Sequence, residues 1–568
     1  MPLKPIYGKT PLTEMTTLML RPGQVRMTDE RLRELYALCR AHGEARPALW
    51  ESAFRLAAAV AEDVSKEPVA GWIASALERQ EDSGALPLPL MDALAVMRAA
   101  WAMYEASPER ALLERLMGWC GWLSANWEEA EGCAELRVRP ADLMGLLCGL
   151  YRVTGKKGLL KLCERLRYAG MDWSGILHTF AVQRPMRRVI GAAELEEGLA
   201  AEDGSESGFY TRQYLTCHGE TLADGARASL MSAVFSGNGP EATAAVVGWE
   251  KISRWHGAMC GGVTADETLG GASPSCAVDA ACLGAWAEAF AAQLEADGAC
   301  WACDALEQLT VNGLSAAVQE GQLIPFQRVN GLQEQCGTED CYRVHEAEEQ
   351  EARALVRLAR GWSAVAYAAM TVCPAGIHVN LYLPGSYAVK LAGETARLEI
   401  AGAAGEYTVT LAVKQPVKAT LSLMVPAWAE NARIRVNGEG AKAGHPGSRL
   451  ALERTWQSGD TVHVSLARTL RVKEGYHQSA AVFYGPELMA YPANEEAAWA
   501  VALCGAPVVR DGRVMAALAR VSSWKAENGV PEDLPVRPKV KGAAFEAVLT
   551  PYAQTPCRVA LLPRSAEA

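Results

Sequence analysis

At 568 residues the chain is longer than one ordinary domain, so two or three separate cores are expected. Apolar residues make up 50% and charged residues 21%, the range of soluble globular proteins. A net charge of −11, a pI near 5.5 and no long Lys/Arg run argue against nucleic acid as a partner.

The N-terminus lacks the apolar core of a secretory signal, and no apolar stretch approaches the ~20 residues that span a bilayer. A cytoplasmic protein without a membrane partner is therefore expected. Its 16 cysteines then read as reduced thiols, most of them small buried apolar residues.

In chain order, residues 1–27 read as an arm that contributes a strand to a sandwich. From Thr28-Asp-Glu-Arg31, a capping signal, to about residue 375 the apolar spacing is helical. About a dozen amphipathic segments follow in consecutive hairpins, among them His218 to Phe235, Ala277 to Asp297 and Glu346 to Ala369, with no strand signal between them. This pattern predicts a helical barrel or toroid, and no repeat of 20–50 residues points to a solenoid.

Near Gly376 the period switches to two. Ile377 to Tyr382, Tyr407 to Val413, Thr420 to Val425 and Thr461 to Leu466 alternate, with turns at Asn437-Gly438 and Gly459-Asp460, which predicts a β-sandwich over 376–470. Residues 471–568 read as a second, smaller β domain.

The sandwich segment resembles the glycoside hydrolases related to the β-L-arabinofuranosidases, family 127. Ile377-His-Val-Asn-Leu-Tyr-Leu-Pro384 is similar to their "G-(I/L)-x-V-N-L-Y" strand. Leu421 to Trp428 with Arg435-Val-Asn-Gly438 resembles "L-R-I-P-x-W … V-N-G". Arg454-Thr-Trp456 with Gly459-Asp460, and Tyr484-Gly-Pro-Glu-Leu488, extend the match. In the helical half, His218-Gly219, Ala265-Asp-Glu-Thr-Leu-Gly-Gly271 with Ser273-Pro-Ser275, and Asp304-x-Leu306-Glu307 with Asn312-Gly-Leu-Ser-Ala316 resemble further family segments. The implied fold is an (α/α)6 barrel followed by β-sandwich domains, in agreement with the periodicity.

The stretch Trp255 to Cys341 concentrates the reactive side chains. Hydrolysis of a glycosidic bond needs an acid for the leaving oxygen and a second group across the anomeric carbon. Glu267 beside Asp266 is the candidate acid/base, a role the resemblance also implies; the other reading is a helix-capping carboxylate. The resemblance further implies a cysteine nucleophile held by zinc, and a zinc-bound thiol is ionised at neutral pH. Cys336 is the candidate nucleophile, with Asp279, Cys282, Cys336 and Cys341 as the candidate zinc set and Cys276 in reserve. The spacing departs from the family: Asp279-Ala-Ala-Cys282 stands for Glu-x-Cys, and Cys336-Gly337 for two adjacent cysteines.

His218, His256, Asp266 and His345 are candidates for contacting the sugar; for the first two, structural hydrogen bonding is an equal alternative. Cys300-Trp-Ala-Cys303 reads as packing at a helix–helix turn, because no βαβ pattern surrounds it. The expected activity is removal of a terminal L-arabinofuranosyl or related sugar from an oligosaccharide or glycoside, with retention. The alternatives are a non-catalytic carbohydrate-binding relative and a metal-free helical-barrel epimerase or lyase. Whether the chain forms a homodimer is left open.

Overall fold

The helical half closes on itself as two concentric rings. The computed structural model describes residues 17–185, 192–201, 205–332, 347–391, 393–494, 496–525 and 534–566. Six inner helices follow one another around the ring: α1 (Trp50–Val60), α2 (Leu90–Ala106), α3 (Ala141–Thr154), α4 (Gly219–Ser236), α5 (Ala280–Asp297) and α6 (Ala347–Ala368). Each packs on the next, and α6 returns to α1. Outer helices back them: Glu30–His42 on α1 and α6, Pro68–Glu78 on α1 and α2, Arg110–Ala125 on α2, Gly158–Ala169 on α3 and α4, Gly239–His256 on α4, and Cys300–Gln308 on α5. This is the (α/α)6 barrel.

The inner ring is apolar where helices touch and ionic where they face the axis. Glu220 and Asp224 on α4, and Arg353 and Arg357 on α6, recur at i,i+4 and so share a face. Arg357 reaches Glu220 at 2.7 Å and Glu288 of α5 at 3.2 Å, and also pairs with Asp224. Arg360 holds Asp142 of α3 through both guanidinium nitrogens, at 2.9 and 2.7 Å, and Glu288 at 2.8 Å. Arg227 of α4 and Arg98 of α2 add bonds to Asp142, and Arg98 also binds Glu51 of α1.

Helices α3 and α6 stand opposite each other in the ring, so the Arg360–Asp142 pair crosses the lumen. Burial alone would neutralise Asp142, but Arg360, Arg98 and Arg227 hold its carboxyl well below the usual range. The barrel axis is thus filled by alternating charges.

Beyond α6 come two sheets of a sandwich. One contains Leu18–Met19, Met370–Cys373, Gly376–Val379, Val417–Val425 and Ser448–Trp456 in that order. The other runs from Glu439–Ala443 through Arg433–Val436, Thr461–Ser465, Glu406–Val413, Glu394–Ala403 and Gly385–Leu391 to Val25–Met27. Period-2 burial explains their strand character: in Glu394–Ala403, Ala396, Leu398 and Ile400 point inward and their neighbours outward.

A third sheet is built mainly from strands after residue 470, and its Cys557–Val559 strand pairs back onto Asn330–Leu332 in the helical half. Asn312 clamps the same junction, donating to the Pro486 carbonyl at 3.1 Å and accepting from the Leu488 amide at 2.8 Å.

The structure departs from the sequence reading within the helical half. Short strands, Ala265–Asp266, Thr268–Leu269, Ala277–Asp279 and Phe326–Arg328, form a small sheet between helices. At two or three residues each they carry no readable period. Ala277–Asp279 is accordingly strand rather than the start of a helix. The Cys300–Cys303 segment opens a helix instead of lying in a turn.

Where barrel meets sandwich, Glu307 accepts from the Trp428 indole at 2.6 Å and Asp304 from the Ala427 amide at 2.9 Å. Burial pushes Glu307 up to about 7 and Asp304 up to about 6. A carboxyl raised on folding contributes fully below its ordinary value near 4.5, and the contribution is lost as pH rises toward the folded value. Glu307→Gln is therefore expected to be more stable than the parent at pH 8, by about 1–3 kcal/mol, and equal to it at about pH 4. Urea unfolding at the two pH values checks this, and an equal gain at both would refute the ionisation account.

Candidate active site

The loop between the outer helix Gly239–His256 and α5 carries the candidate acid. Strands Ala265–Asp266 and Thr268–Leu269 pair antiparallel, leaving Glu267 at the tip. The tip is pinned over the start of α4: the Gly219 amide donates to the Glu267 carbonyl at 2.8 Å, and the Leu269 amide to the Cys217 carbonyl at 2.8 Å. Glu267 adopts φ of 63°, the left-handed region, which for a non-glycine residue costs on the order of 1 kcal/mol and is seen where the surroundings enforce it.

Its side chain is 1% exposed, and the Tyr214 hydroxyl donates to Oε2 at 3.3 Å. Burial, then the Glu267 charge, pushes the Tyr214 phenol up, so it stays a donor. Arg353 stands in the same field. Burial opposes its charge, but Asp279, Glu220 and Glu267 together hold the guanidinium protonated. The candidate acid thus accepts from a neutral phenol and lies in the field of a fixed cation near the start of α4.

Two of the predicted sugar-contacting groups adjoin it. His218 is the N-cap of α4: its Nδ1 accepts from the Thr221 amide at 3.3 Å, which places the proton of the neutral ring on Nε2. Its ring lies 5.6 Å from that of Tyr214, and the His218 backbone bridges to Thr268. Asp266 is buried directly before Glu267.

His256 is different, because both its nitrogens are engaged. Nδ1 accepts from the Gly271 amide at 3.0 Å and Nε2 faces the Val182 carbonyl at 3.0 Å. Burial lowers its pKa and keeps the ring neutral. His256 therefore shapes the Glu267 loop from beneath, where the sequence reading gave sugar contact and a structural role equal weight. Cys336, Cys341 and His345 lie outside the described residues.

Of the candidate zinc ligands among the described residues, Cys276 donates to the Gly270 carbonyl at 2.9 Å. Asp279 caps α5 through the Ala281 amide at 2.8 Å, and its other oxygen is bound by Arg353. Cys282 is 1% exposed, and burial, followed by Asp279 and Glu220, pushes its thiol far above the ordinary value. The sulfur packs against Gly219, where a β-carbon would come within 2.8 Å of it. Among the described residues no three His, Cys, Asp or Glu side chains gather as a metal site. Asp279 and Cys282 do not fit zinc.

Sequence reasoning missed Tyr214 and Arg353. Nothing singles out the tyrosine, but Arg353, Arg357 and Arg360 at i, i+4 and i+7 form a cationic stripe on one helix face, matched by Glu220 and Asp224 on α4. That complementarity was readable.

Residues 376–468 match the family model described as the middle domain of GH127 β-L-arabinofuranosidases. The whole fold is also shared: a solved glycoside hydrolase superposes with a TM-score of 0.73 at 16% identity, covering 98% of this chain and 99% of the other. The chain is GH127-like. A GH127 β-L-arabinofuranosidase from Geobacillus stearothermophilus T6 is similar at TM-score 0.65 and 15% identity, over 94% of each chain. A further GH127 β-arabinofuranosidase gives 0.64 and 14%, over 98% of this chain and 97% of that one. At these identities the likeness establishes the architecture, a helical barrel followed by β-sandwich domains. No curated protein matches the chain by sequence. No described helix is long and apolar enough to cross a membrane.

Proposed function

We propose that this chain is a glycoside hydrolase that removes a terminal L-arabinofuranosyl or related sugar, with Glu267 as general acid and base. The observation that carries the reading is Glu267 itself: a buried carboxyl, held in left-handed backbone, touching a phenol donor and lying in the field of Arg353. Strain retained at a buried carboxyl held by a fixed phenol donor and a fixed cation marks a candidate functional group. The family likeness of the sandwich and of the overall fold supports a glycoside as substrate.

In this reading Glu267 gives its proton to the leaving oxygen, and in the second half-reaction takes one from water. His218, with its Nε2 proton, and Asp266 serve as hydrogen-bonding groups for sugar hydroxyls. Retention through attack by the Cys336 sulfur on the anomeric carbon belongs to the same reading and rests on the sequence resemblance. The commitment of Asp279 to the α5 cap and Arg353, with Cys282 buried, favours, as a second reading, a metal-free sugar-processing site.

Release of 4-nitrophenol from a panel of nitrophenyl glycosides, with metal analysis of the same protein, separates these. Turnover is expected to be highest on the β-L-arabinofuranoside. Sugar binding without turnover would make the chain a carbohydrate-binding relative, and interconversion of sugars without hydrolysis would make it an epimerase or lyase.

A further inference from the structure

The Cys300-Trp-Ala-Cys303 segment takes no part in the site described above. Cys300 is the first residue of the outer helix Cys300–Gln308, and Cys303 follows one turn later on the same face. Residues three apart on a helix place their β-carbons about 5–6 Å apart. A disulfide needs β-carbons about 3.5–4.5 Å apart, so closure requires the first turn of this helix to tighten by about 1–2 Å.

The two thiols differ in setting. Cys300 is partly exposed at the helix start, where a dissolved disulfide can reach its sulfur. Cys303 is 1% exposed, and its sulfur lies 3.2 Å from Nη2 of Arg449, which reaches in from the sandwich strand Ser448–Trp456. The same nitrogen donates to the Asn380 amide oxygen at 2.6 Å and the Gly298 carbonyl at 3.1 Å. These partners are all uncharged. Nε and Nη1 of Arg449 are buried without a hydrogen-bond partner among the described residues. Arg449 is the cation nearest the Cys303 sulfur and lowers the cost of ionising it, although burial outweighs that attraction in the resting protein.

We propose that Cys300 and Cys303 form a thiol–disulfide exchange pair, Cys300 attacking and Cys303 resolving, with low-molecular-weight disulfides as co-reactant. The Cys300 thiolate attacks one sulfur of the external disulfide, forms a mixed disulfide and expels one thiolate. Cys303 then gives up its proton and attacks the Cys300 sulfur, and the second thiolate leaves. Two protein thiols are oxidised to one disulfide, and the external disulfide is reduced to two thiols. In the resting protein, burial keeps the Cys303 thiol at about 12, so it does not compete as the attacking group.

The test uses the native, fully reduced chain exposed to oxidised glutathione, quenched in acid, alkylated and mapped by mass. The wild type is expected to lose two hydrogens in the peptide spanning 300–303 and to regain them with dithiothreitol. Cys303→Ser is expected to retain one glutathione on Cys300, whereas Cys300→Ser takes up none at Cys303. Arg449→Met is expected to accumulate the mixed disulfide that the wild type resolves, and Arg449→Lys to recover closure. Alkylation of the native protein should be about tenfold faster at Cys300 than at Cys303. If a serine variant fails to fold, the alanine variant at that position serves as the trap. Full alkylation of both cysteines after glutathione treatment, oxidation only in urea, or equal labelling of the two serine variants would each overturn the proposal. None of these readouts depends on glycosidase activity.

Discussion

Glu267→Gln is expected to lower kcat/KM on a nitrophenyl glycoside by about 10²–10⁴-fold, the usual contribution of a positioned proton donor. The Gln carbonyl can still accept from Tyr214, and the loop remains tied through the Gly219 amide and the Cys217 carbonyl. The unfolding midpoint should therefore move little. The loss should also depend on the leaving group: a dinitrophenolate needs little protonation to depart, so the penalty there should be far smaller than for an alkyl glycoside. An equal penalty across leaving groups, together with a fallen midpoint, would reduce Glu267 to a structural role.

The second large effect is on stability. Arg357 is 6% exposed and bonds Glu220, Asp224 and Glu288 on two neighbouring inner helices. Methionine keeps most of the volume but leaves three buried carboxylates short of a cation. Removing one partner of a buried ionic group costs about 3–5 kcal/mol, because the remaining charges stay desolvated. Arg357→Met should lower the urea midpoint by that much, and Arg357→Lys by less, since an ammonium restores charge without the planar fork. The control is Arg110→Met, which breaks the exposed pair with Glu114 and should leave the midpoint where it was. Equal small effects at both positions would show that the ladder along the axis is dispensable.

The sandwich was legible because its strands alternate over four to ten residues and its turns carry Asn-Gly and Gly-Asp. The barrel helices were legible for the same reason at a period of 3.6. What escaped was short or long-range. Strands of two or three residues at 265–279 have no period, and an Asp before an apolar run is an ordinary helix cap, which is how Asp279 is used. Its pairing with Arg353 joins residues 74 positions apart and leaves no local trace. Glu267 stands out as a candidate because its Gly-rich neighbourhood resembles a family segment; the Tyr214 contact, 53 residues away, needed the fold.

The ionic pairs that cross between α6 and α3 make the interior of the ring a cul-de-sac. Under the proposed function a glycan would therefore approach Glu267 from the end of the ring where α4 and α5 begin, a route that suits trimming of single end units. Opening the axis by mutation would sever the struts that hold the ring closed.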